Sequence, residues 1–62
     1  MRATIVDTAY HYACEHGLSS LSIRTIAKEC SVSVGSIYNY FPDKAALVTE
    51  VILKFWTTIA FS

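Results

Sequence analysis

The chain has 62 residues, 53% of them apolar, and its five basic and five acidic side chains cancel to a formal charge of zero. A chain this short forms one domain and buries only about 60% of the surface it exposes when extended, which excludes a multidomain enzyme with a deep active site. Zero net charge excludes a strong global field for nucleic acid or anionic lipid, and a mean hydropathy of +0.40 excludes disorder and implies apolar surface that packs against something beyond these residues.

In chain order, the first element runs from Thr4 to His16. Ile5, Val6, Ala9, Tyr10, Ala13 and Cys14 recur at i, i+1, i+4, i+5, i+8, i+9, with Asp7, Thr8, His11, Glu15 and His16 opposite, which predicts an amphipathic helix. Thr4 followed by Asp7 resembles a capping box, placing the start at or before Thr4. Gly17 ends the helix as its C′ residue, with Leu18 folding back onto the last turn. Ser22 caps a second, short helix whose Ile23, Ile26, Ala27 and Cys30 share a face, while Arg24, Thr25, Lys28 and Glu29 point outward. After a tight connection at Ser31-Val32, Ser33 caps a third helix through about Tyr40, with Val34, Ile37, Tyr38 and Phe41 on one face. Pro42 breaks the pattern, Asp43 caps again, and a fourth helix runs from Lys44 towards the end. No segment alternates with period two for long enough to predict a strand. The fold class is all-α.

The remaining punctuation excludes more than it adds. Cys14 and Cys30 lack CxxC spacing and read as free, buried thiols in a reducing compartment. Asp7 and its polar neighbours interrupt any signal-peptide core, and Glu50 and Lys54 interrupt the apolar segment Ala45–Phe61 as a membrane span. The expected location is therefore cytoplasmic, with no membrane association. His11 and Cys14 lie on different faces and lack two further ligands, so a surface histidine is favoured over a metal site. No metal or other cofactor is expected.

The second and third helices, each about eight residues with a few between them, must cross steeply, because so short a connection cannot lay them antiparallel. A steep crossing needs a small residue at the contact, and Ala27 stands there. The turn falls four residues on, at Ser31, and a branched core plug ten residues on, at Ile37. This is helix-turn-helix spacing, in which the second helix of the pair enters the major groove by its N-terminal residues.

The stretch from Ile26-Ala27 through Val32-Ser33-Val34-Gly35-Ser36-Ile37-Tyr38-Asn39-Tyr40-Phe41-Pro42-Asp43-Lys44 to Leu47 resembles the DNA-binding domain of the tetracycline-repressor (TetR) family over roughly residues 4 to 55. Ser31 stands where that family usually has Gly, and Asn39 and Tyr40 replace commoner basic or His residues. The resemblance implies a homeodomain-like three-helix head at 1–47 and a connecting helix at 48–62. It also implies a C-terminal ligand-binding and dimerisation domain beyond this sequence. The function implied is sequence-specific binding of double-stranded DNA, most simply by a repressor. A homodimer would read a pseudo-palindromic operator, and a small-molecule effector would bind the further domain.

The third helix, Ser33 to Phe41, carries no Lys or Arg. Readout then rests on hydroxyls, an amide and apolar contacts: Val34 against a thymine methyl, Asn39 on an adenine edge, with Ser36 beside them. Gly35 either lets the backbone approach DNA or avoids a clash between helices. By analogy with the family, Lys44 is a phosphate clamp at the fourth helix's N-terminus, favoured over a solvated lysine. Ser22, Arg24 and Ser33 are further phosphate candidates, and Arg24 can reach for a base edge. Tyr38 is expected half-buried with its hydroxyl towards phosphate. Tyr40, more exposed, either touches DNA or covers the helix end.

The fourth helix explains the composition. Leu47, Val51, Ile52, Phe55, Trp56, Ile59 and Phe61 leave a narrow polar stripe of Glu50, Lys54 and Thr57 or Thr58, with Glu50 and Lys54 an i, i+4 pair. A three-helix head covers only its first half. The competing reading is a protein-interaction module that docks a partner, or itself, through this helix. An enzyme is the poorest fit, because no Ser/His/Asp or Cys/His constellation and no phosphate-cradling glycine loop is present.

Overall fold

The computed structural model describes residues 1–61, and Ser62 and the Phe61 side chain, both counted in the fourth helix above, lie outside the described residues. Four α-helices, α1 (Arg2–His16), α2 (Ile23–Cys30), α3 (Val34–Tyr38) and α4 (Lys44–Phe61), make an all-α fold with no strand among the described residues. The first helix begins earlier than Thr4, with Met1 at its N-cap and no side-chain cap. Thr4 is therefore already helical, and Asp7 turns away to Lys54 on α4; the capping box does not form. Gly17 ends α1 at φ 90°, a conformation that glycine alone adopts freely, and its amide donates to the Ala13 carbonyl at 2.7 Å.

A short 3-10 turn, Leu18–Ser20, follows, which the apolar spacing does not foretell. It carries Leu18 out to 38% exposure and leaves Leu21, at 1%, to fill the core. The buried stripe of α1 is Ile5, Ala9 and Ala13, a strict i, i+4, i+8 row. Cys14 lies about 100° round the helix from Ala13 and is exposed, while Cys30 is half-buried. Neither thiol is a core group, contrary to the expectation.

The centre of the head is built by its caps. The Ser22 hydroxyl accepts from the Thr25 amide at 3.0 Å and starts α2, whose Ile23, Ile26 and Ala27 are buried. Ser31 ends α2 in the left-handed region, φ 59° and ψ 39°. The Ser31 amide reaches the Lys28 carbonyl and the Val32 amide the Ala27 carbonyl, at 3.1 and 3.0 Å, which together form a Schellman motif. Ser33 then caps α3 by accepting from the Ser36 amide at 3.2 Å. The third helix ends at Tyr38, sooner than the expected Tyr40, and the chain passes through a turn at Asn39 and Tyr40. Ile37 and Phe41 are buried at 0% and 1%. Each such side chain contributes roughly 1.5–3 kcal/mol by leaving water.

The long helices α1 and α4 form the base. Leu47 and Val51 of α4 enter the core, and Phe55 meets the Tyr10 ring at 4.6 Å. The Glu50–Lys54 pair within α4 does not form. Glu50 pairs with Arg2 and Lys54 with Asp7, the latter at 2.8 Å, because α1 lies alongside and presents opposite charges to both. Beyond Phe55 the helix leaves the core, with Trp56 and Ile59 each 66% exposed. No helix of the described residues is long and apolar enough to cross a membrane.

Candidate nucleic-acid interface

The helix-turn-helix presents one side of α3 outward. Ile37 is its only buried residue, whereas Val34 and Tyr38, expected on the same apolar face, are 38% and 50% exposed. Tyr38 is half-exposed, as expected, but is more open than Tyr40 at 41%, the reverse of the expected order. Gly35 and Asn39 are exposed beside them, and Ser36 is partly exposed.

Gly35 is not needed for packing between helices. A Cβ built on it meets nothing closer than the Ser33 hydroxyl at 3.8 Å, ordinary van der Waals contact, and its φ is not positive. Avoidance of a helix clash is excluded, and the bare backbone faces outward.

The hydroxyls can be followed proton by proton. A phosphate needs a donor, and a serine hydroxyl has a single proton. Ser22 spends its own on the Thr25 hydroxyl oxygen at 2.7 Å. Thr25, which the sequence reading passes over, keeps its hydroxyl proton to give from a partly exposed position. The Ser33 and Ser36 hydroxyls lie 3.1 Å apart and share one hydrogen bond, so one proton of the two remains available.

Charge follows the same division. Among the described residues Arg2 and Lys54 are held by carboxylates across the α1–α4 seam, while Arg24, Lys28 and Lys44 make no ion pair. All three belong to α2 or to the start of α4 and are exposed. Lys28 is a cation the sequence reading leaves merely outward-facing. Lys44 occupies the first turn of α4, where Asp43 accepts from the Ala46 amide at 2.9 Å. One of the first-turn amides expected to greet a phosphate is thus occupied by Asp43, which leaves the exposed Lys44 ammonium as the free cation of that turn. Among the described residues no group of three His, Cys, Asp or Glu comes together as a metal site requires.

The chain matches the family described as bacterial regulatory proteins, tetR family, over residues 5–51. It is 42% identical over 48 residues to the uncharacterized HTH-type transcriptional regulator YuxN of Bacillus subtilis strain 168, covering 77% of this chain and 16% of that protein. It is 36% identical over 53 residues to the HTH-type transcriptional regulator UidR of Escherichia coli K12, covering 86% of this chain and 27% of that one. Identity to the HTH-type transcriptional repressor KstR of Rhodococcus jostii RHA1 is 30% over 53 residues, covering 86% and 25%. The chain therefore spans about a quarter or less of the length of these relatives. No solved structure matches it significantly.

Proposed function

The chain belongs to the tetR family of bacterial regulatory proteins, and on that premise we propose that it is the sequence-specific DNA-binding head of a transcriptional regulator, with α3 as the helix that enters the major groove. The single observation that carries this reading is the outward row of Val34, Gly35, Tyr38 and Asn39 on a helix whose only buried residue is Ile37. An apolar side chain, a bare backbone, a phenol and an amide suit thymine methyls, close approach and an adenine edge. Arg24, Lys44 and the hydroxyls of the Ser22–Thr25 and Ser33–Ser36 caps suit phosphate oxygens, with Tyr40 at the exit of the helix.

The rest of the reading follows from the premise. Residues 1–47 form the head, and α4 beyond residue 47 leads into a ligand-binding and dimerisation domain. Its apolar end, from Ile52 to Ile59, is the start of that domain's core, which makes a protein-interaction module the less favoured account. Two heads in a homodimer read a pseudo-palindromic operator, a small-molecule effector bound to the further domain sets their spacing, and the outcome is repression. The protein works in the cytoplasm and is not an enzyme.

With one half-site and no net charge, the 62-residue chain alone binds weakly. A salt titration of fluorescence anisotropy on mixed-sequence duplex, native against Lys44→Ala, tests the reading. The expected outcome is a negative log–log slope that shrinks by about one unit in the variant. A folded chain that binds no duplex at low salt refutes it.

A further inference from the structure

Arg2 touches both the exit of α3 and the base of the head. Its guanidinium pairs with Glu50 on α4, stands 4.8 Å from the centroid of the Phe41 ring, and directs Nη1 at the Tyr40 carbonyl at 3.5 Å. Phe41 is buried at 1% and is the first core residue after α3. A cation at the end of a helical run favours its terminal carbonyls, and a planar fork can face a ring, a carboxylate and a carbonyl together. Elsewhere α3 is tied chiefly to α2, so its exit is held by the Phe41 ring in the core and by Arg2 above it. Asn39 and Tyr40, two of the proposed DNA-facing residues, are the residues that this exit carries.

We propose that Arg2 is a positioning residue for DNA recognition: from α1 it fixes the exit of α3 against α4, and so sets where Asn39 and Tyr40 meet a duplex. The inference rests on the DNA-binding reading for its functional consequence, though not for the clamp itself. The second ion pair of the same seam supplies the control. Asp7 and Lys54 join the same two helices at 2.8 Å and touch nothing in α3. A role for Arg2 as a mere seam ion pair predicts the same behaviour for Arg2→Met and Asp7→Asn. Positioning predicts that only the first disturbs α3.

Two readouts on the 62-residue chain separate these. Amide hydrogen exchange follows the Asn39, Tyr40 and Phe41 amides, which bond to the Gly35 and Ile37 carbonyls. Arg2→Met is expected to speed exchange there about ten-fold relative to the Ile26 amide of α2, and Asp7→Asn to leave the ratio unchanged. In the second, a duplex enriched from a randomised library by the native chain is compared with a mixed-sequence duplex. Arg2→Met is expected to lose about ten-fold of the preference with the salt slope intact, because no phosphate contact is removed. Equal acceleration across α2 and α3, the same loss in Asp7→Asn, or a slope smaller by about one unit overturns the proposal, the last by making Arg2 a phosphate ligand. If the native chain enriches no duplex, the DNA-binding reading fails, and the exchange ratio alone decides whether Arg2 holds the exit of α3.

Discussion

Gly35 and Ser31 make opposite departures from what their positions ask. A glycine in the first turn of α3 weakens that helix by about 0.5–1 kcal/mol relative to alanine, and no neighbouring atom requires it. Gly35→Ala is therefore expected to raise the melting temperature while lowering duplex affinity, a pairing of opposite signs that thermal unfolding and anisotropy together would reveal. Unchanged affinity would mean that the backbone there does not approach DNA. Ser31 is the converse, a residue with a Cβ held in the left-handed region. Ser31→Gly relieves that conformation and, less the added freedom of the unfolded chain, is expected to stabilise by about 1 kcal/mol. For a domain of this size that is a rise of roughly 4–8 °C in Tm, read by circular dichroism. Ser22, Ser33 and Asp43 were legible as caps from their place before an apolar period, and each accepts the expected amide. Thr25 was not legible as a donor, because residue type alone does not say which of two hydroxyls spends its proton on the other.

Between elements, the seam of α1 and α4 rests on charge as well as on Ile5, Ala9, Leu47 and Val51. Lys54, by hydrogen bond first and charge second, holds the Asp7 carboxyl below its ordinary value; His11 adds to this, and slight desolvation opposes it. A folded-state pKa that is lowered gives stability that is full above the unfolded carboxylate value, about 3.9, and fades as pH falls through the lowered one. Thermal unfolding of the native chain and of Asp7→Asn should thus differ at neutral pH and converge in acid. The helices themselves were legible because a 3.6-residue period marks a buried face. The partners of Glu50 and Lys54 were not, since the period names the face of one helix and says nothing about which charges of another lie across from it. The early end of α3 escaped for a related reason: the apolar spacing runs on through Tyr38 to Phe41, but Phe41 reaches the core from the turn rather than from the helix.

Over the whole molecule, burial is concentrated in the head, and the last turns of α4 stand outside it, with Leu53, Trp56 and Ile59 more than half exposed. The architecture also has two ranges of contact. The helix-turn-helix is local, its caps and turn closing within a few residues, whereas Arg2 meets Glu50 across 48 positions of sequence. Closing a loop of that length is entropically slow and is rewarded only at the end. Asp7→Asn is accordingly expected to speed unfolding with little change in the folding rate, as stopped-flow chevrons would show, whereas a seam already formed in the transition state would slow folding instead. For a chain leaving the ribosome the order of events is then set by geometry. Ile5 and Ala9, made before Leu47 and Val51, are not fully covered until those two have emerged. The pair of helices proposed to read DNA is written before the foundation on which it stands is complete.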